Sequence, residues 1–83
     1  MNNLEKKIQF TLNLFKSKKY TEAQEHAEKL ISINPKIIFL YNILGLILTE
    51  KREINKAIKI FKKGISINPN HAMIHNNLIG PIV

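Results

Sequence analysis

Apolar side chains recur along the chain at three- and four-residue intervals, broken at regular distances by short polar runs and by proline. Leu4, Ile8, Thr11, Leu12 and Phe15, with Phe10 and Leu14 alongside, follow the helical period. They predict a first helix over about Asn3 to Lys16 with apolar residues on more than one face, a helix that needs neighbours on two sides. After the polar run KSKKY, Thr21 and Gln24 have the spacing of a capping box, which predicts a second helix starting near Thr21. It ends around Ile33, because Pro35 has no amide to donate and drives Asn34 out of helical geometry. The cycle then restarts. Ile37 to about Glu50 form a third predicted helix, KRE makes a turn, and Asn55 is the expected cap of a fourth helix that stops before Pro69. A fifth begins near His71 and fails at Gly80-Pro81.

The cycle is also legible letter by letter. ISINPK at Ile31 to Lys36 returns as ISINPN at Ile65 to Asn70, 34 residues later. Aligning Tyr20 to Pro35 with Ile54 to Pro69 gives seven identities in sixteen positions against about one by chance, so the chain carries an internal repeat. A repeat of this length built from two helices is one hairpin stacked on a copy of itself.

These residues resemble the tetratricopeptide repeat family, whose 34-residue unit carries W-x2-L-G-x2-Y, then A-x3-F, then P. Tyr41-x2-Leu44-Gly45-x2-Leu48, Ala57-x3-Phe61 and Pro69 follow that pattern, with Leu48 in place of the second aromatic and Arg52 where the turn often has glycine. Lys7-x2-Phe10-Thr11-x2-Leu14, Ala23-x3-Ala27 and Pro35 follow it less closely, without the large aromatic anchors. His75-x2-Leu78-Ile79 opens a third unit. The resemblance implies an all-α fold of antiparallel helical hairpins stacked as a short right-handed α-solenoid, forming a single domain over residues 1–83. Repeat 1 then covers about residues 4–37, repeat 2 about 38–71, and a partial repeat or capping helix 72–83.

Packing follows from the small residues. Two helices of a hairpin approach closely only where little stands between them, and the expected contacts are Gly45 against Ala57 and, more crowded, Thr11 against Ala23. Tyr41, Leu44 and Leu48 are expected to pack with Phe61 inside the second pair. Leu30, Ile31, Gly64 and Ile65 are expected near the junction with the following pair.

By the family's habit, the first helices of stacked hairpins line a concave side that holds a peptide or a partner helix. By position, that side would be lined by Ile8, Leu12 and Phe15, then Phe39, Asn42 and Leu46, then Met73 and Asn76. Members that clamp a terminal carboxylate place Lys, Arg and Asn there. Here only Asn42 and Asn76 are of that kind, and Ile8 and Leu12 stand at polar positions, so the expected partner is an apolar protein or peptide face. The resemblance also allows an alternative, an interaction segment of a longer transferase-type enzyme.

A repeat array hides its end faces with polar caps, and nothing in the sequence resembles one. Several hundred Å² of open apolar surface, at about 25 cal/mol per Å², corresponds to several kcal/mol, comparable with the whole stability of a small domain. Self-association into a homo-oligomer is therefore expected.

Charge and candidate chemistry alter this picture little. Formal charge is +7, concentrated after residue 35, where seven basic residues meet two acidic ones. Lys56, Lys59, Lys62 and Lys63 fall on the fourth helix as a basic surface outside the concave side. With one Arg and no aromatics interleaved, they read as a solvated face, and nucleic-acid binding is disfavoured. His71 and His75 are spaced i, i+4, but HAMIH lacks the glutamate of a zinc hydrolase helix, and His26 reads as a surface residue among Glu22, Glu25 and Glu28. No metal site, cofactor or catalytic residue is assigned. Absence of cysteine removes disulfides and thiolate ligands and is compatible with a cytoplasmic protein. The uncharged run IIFLYNILGLIL is twelve residues, short of the roughly 20 that a membrane span needs, and reads as a buried helix.

Overall fold

The computed structural model describes residues 2–67, which form four helices: α1 (Asn3–Lys16), α2 (Tyr20–Ile33), α3 (Ile38–Glu50) and α4 (Ile54–Ile67). No strand occurs among the described residues. Helix α1 pairs with α2 and α3 with α4, while α3 also packs on α2 and touches α1. The second hairpin thus stacks on the first, with α3 innermost. That position accounts for its composition: Leu40 to Gly45, Ile47 and Leu48 are all buried, so the uncharged run is a helix covered on several sides. No helix among the described residues is long and apolar enough to cross a membrane. The fifth helix expected near His71, together with Pro69, lies outside the described residues.

The two turns are copies of each other in hydrogen bonding as well as in length. In the first, the amide of Lys18 donates to the carbonyl of Phe15 at 3.0 Å and that of Lys19 to Leu14 at 2.9 Å. In the second, Arg52 donates to Thr49 at 3.0 Å and Glu53 to Leu48 at 2.9 Å. Each pair is a Schellman motif, which satisfies the last carbonyls of the helix by turning one residue left-handed. The left-handed residues are Lys18 (φ 63°) and Arg52 (φ 67°), the two non-glycine residues with positive φ among the described residues.

This motif corrects both expected N-caps. The next helix starts as soon as the motif closes, so Lys19 and Glu53 offer the first helical carbonyls, to Ala23 at 2.9 Å and Ala57 at 3.0 Å. Thr21 and Asn55 therefore lie inside the first turns, and α2 has no side-chain cap. Gln24 does not reach back; its amide donates to Glu28 at 3.2 Å and its carbonyl accepts from Lys51 at 2.6 Å. A side-chain cap is found instead on α1, where Asn2 accepts from the amide of Glu5 at 2.7 Å.

The core joins Leu14, Ala23 and Ala27 to Ile43, Leu44, Ile47, Leu48, Ala57 and Phe61. At the close approach of α3 and α4 the first atoms that a Cβ on Gly45 would meet are those of the Phe61 ring, with three ring carbons within 2.7 Å. One period earlier the same two positions hold Thr11 and Ala27, both wholly buried. Space given up by the smaller partner at one position is taken by the larger at the other. Thr11 hides its hydroxyl by donating to the carbonyl of Lys7 at 2.9 Å.

Phe10 departs from its expected packing role. Its counterpart Leu44 is 3% exposed beneath the first hairpin, whereas Phe10 is 50% exposed. No described element covers the side of α1 on which it sits. Between the hairpins, Pro35 stands just past the end of α2 as expected, and its carbonyl accepts from the Tyr41 hydroxyl at 2.6 Å. That bond ties the connecting loop to α3.

Candidate functional site

Three surfaces carry the chemistry of the described residues. The first is the side formed by α1 and α3, the leading helices of the two hairpins. Ile8, Leu12 and Phe15 on α1 and Leu46 on α3 are half-buried and rest on the core. Phe39, in the first turn of α3, is 39% exposed. Asn42 is only 3% exposed, so of the described residues expected along this side it is the one whose side chain is interior. Met73 and Asn76 lie outside the described residues.

On the other side of α3 a cleft of about 270 Å³ separates α2 from α4. Leu44 and Leu48 form its floor, Gln24 and Glu28 one wall, and Lys56, Lys59 and Ile60 the other. Near the turn the walls are bridged by the Lys51 to Gln24 hydrogen bond. Lys51 also stands 3.4 Å from Glu53, whose other carboxylate oxygen pairs with Lys56 at 3.0 Å. These lysines hold the Glu53 carboxyl below its ordinary range, with the Lys56 hydrogen bond the main cause. Away from the cleft, Lys59, Lys62 and Lys63 are exposed.

The third surface is the open side of the first hairpin. The Phe10 and His26 rings are in contact there, with centroids 4.7 Å apart and planes tilted by 58°. His26, expected on the surface, is half-buried under that ring. Among the described residues no three His, Cys, Asp or Glu side chains converge in a way that could hold a metal ion.

Two stacked hairpins with matching turns, joined through a loop that carries Pro35, are two successive units of a helical repeat. The tetratricopeptide-repeat profile matches residues 12–37 and again residues 40–71. The chain belongs to the tetratricopeptide repeat family. Repeats of this family mediate protein–protein interaction, which supports a scaffold role for the chain. A search of the curated proteins returned no match.

Within the tetratricopeptide unit, Tyr41, Leu44, Gly45, Ala57 and Phe61 are buried in the second repeat and Leu14, Ala23 and Ala27 in the first. Sequence reasoning missed the contact of Phe10 with His26 and the cleft between the repeats. The first had a usable signal: Phe10 occupies the position that Leu44 holds one period later, and His26 is sixteen residues on, in the helix that pairs with α1. The second had none, because its walls come from helices that are separated in sequence and do not pack on each other.

Proposed function

We propose that this tetratricopeptide chain is a noncatalytic scaffold that takes an apolar partner, a helix or an extended peptide, against the side formed by α1 and α3. The observation that carries the reading is the exposure of Phe39 in the first turn of α3, the helix that also bears half-buried Leu46, together with half-buried Ile8, Leu12 and Phe15 on α1. None of these five side chains is charged or polar, so the surface gains by exclusion of water and offers a terminal carboxylate nothing to hold it. Capture of protein partners by immobilised wild type, Phe39→Asp and Lys59→Glu chains tests this. Partners are lost from the Phe39 variant and kept by the Lys59 variant, while both remain helical by circular dichroism. Equal capture by all three would overturn it.

A second reading is self-association through an open repeat face. It is supported by Phe10, whose exposure contrasts with the covered Leu44 one period later. Light scattering on a size-exclusion column decides it: mass per particle rises with concentration if the reading holds and stays at one chain if it does not.

A further inference from the structure

Helix α2 has two flanks beside the face it buries, and they meet different neighbours. Gln24 and Glu28 line the cleft opposite α4, so they mark the flank turned to the second hairpin. His26 touches Phe10 of α1 and marks the other flank. Residues three, four and seven positions from His26 share that flank, namely Lys29, Glu22 and Ile33. The same spacing from Phe10 adds Lys6 and Asn13 of α1. These five are exposed, and Phe10 and Ile33 are 50% and 70% exposed, so the flank is open to solvent.

Charge along this open side runs from one sign to the other. At a rise of about 1.5 Å per residue, Glu22 stands about 6 Å to one side of His26 and Lys29 about 4.5 Å to the other. Because α1 runs back along α2, Lys6 lies at the Lys29 end and Asn13 at the Glu22 end. Phe10 and His26 sit between the two ends. Such a face is complementary to itself when reversed. A half-turn about an axis that crosses both helices at Phe10 and His26 brings Glu22 of each copy within about 1.5 Å, measured along the helix, of Lys29 of the other. A half-turn about an axis along the helices lays α1 on α2 of the other copy and sets Lys6 against Lys29, and like charges at an interface are costly. Charge therefore selects the first arrangement.

We infer that the open side of α1 and α2 is a two-fold interface with the same side of a second copy of this chain, α2 antiparallel to α2, with Glu22 of each copy opposite Lys29 of the other and Phe10 at the centre. This rests on the self-association reading and gives it a symmetry. One patch meets itself, so assembly closes at two chains. The second hairpin takes no part in the contact. Two helices of 14 residues, about 21 Å long and about 10 Å apart, offer each copy a footprint of about 400 Å². That is the size of a weak, transient interface, and its exposed ion pairs make it sensitive to salt.

Sedimentation velocity of the full chain at low salt, over micromolar to millimolar concentrations, tests the inference. Wild type gains mass with concentration up to two chains, and added salt reverses the gain. Glu22→Lys and Lys29→Glu each associate at least about tenfold more weakly alone, since the two-fold axis repeats each clash of like charges. Recovery is the sharper result. The double variant Glu22→Lys/Lys29→Glu associates again, and so does an equal mixture of the two single variants, because both restore opposite signs at both ends. Phe10→Ser, at an exposed position, loses association without any charge change, and circular dichroism shows every variant as helical as wild type. A wild type that is monomeric throughout removes the self-association reading and this inference with it. Growth beyond two chains, single variants that keep the wild-type mass, or a double variant that fails to recover removes this inference and leaves the reading standing.

Discussion

The ring of Phe61 lies across Gly45 where α4 crosses α3, filling the space a Cβ would need. Phe61 is 2% exposed and packed in the core, so the ring cannot swing away. Helix propensity favours Ala over Gly by about 1 kcal/mol, but overpacking of a filled core costs about 1–3 kcal/mol. Gly45→Ala is therefore expected to be destabilising by about 1 kcal/mol, read as a lower urea midpoint with unchanged slope. In a Phe61→Ala background the same change becomes stabilising, and the double-mutant cycle shows a coupling of about 1 kcal/mol or more. Additive effects would show that the ring does not set the limit on this helix approach.

The turns permit an opposite prediction. Lys18 and Arg52 hold left-handed backbone that costs a non-glycine residue roughly 1–2 kcal/mol, and neither has a side-chain hydrogen bond or ion pair among the described residues. Lys18→Gly and Arg52→Gly are each expected to raise stability by about 1 kcal/mol after the entropy of glycine in the unfolded chain is offset. A rise in thermal midpoint for both would be the supporting result, and a fall for either would mean that the turn is held by something other than its Schellman bonds.

Tyr41 stabilises the repeat junction through its hydroxyl as well as its ring. Tyr41→Phe leaves the Pro35 carbonyl without its 2.6 Å donor and is expected to cost about 1 kcal/mol. Hydrogen exchange of the Leu40 amide, which donates to Ile37 at 3.1 Å, should accelerate more than exchange in α1. Equal acceleration everywhere would show a global effect with no local anchoring of the loop.

Glu53 gives stability a sign on the acid side. Its folded carboxyl is held below the ordinary value of 4.5 by Lys56 and Lys51, so the unfolded chain binds the proton more readily. The stabilisation is present above the unfolded value and is lost as pH falls through the folded one. Between about pH 6 and pH 3 wild type should lose its advantage over Glu53→Gln, with little difference between them at the lower end. Denaturation curves for the two proteins that stay parallel across that range would show that the ion pairs contribute nothing.

How much of this was legible from the chain alone depends on the range of the interaction involved. Helix positions, the 34-residue period and the break at Pro35 follow from hydrophobic spacing and from one residue without an amide, all of which act within a few positions. The bounds of α1 agree with expectation to the residue for that reason. The starts of α2 and α4 do not, because Thr21 and Asn55 have good capping chemistry but the Schellman bonds of the preceding turn had already placed Lys19 and Glu53 at the first helical carbonyl. Among site residues, Asn42 looked like a surface polar group by its register on α3, and only the packing around that innermost helix buries it.

The sequence by itself determined that residues 2–67 of this protein fold as helical hairpins related by one period, since periodicity and helix breakers are properties of neighbouring residues. Only the tertiary structure decided which small residue meets which large one, that the Phe61 ring closes over Gly45, and that Phe10 is left open while Leu44 is covered. Those outcomes depend on which surfaces lie against each other, and hairpin stacking brings together residues whose separation along the chain carries no local signal.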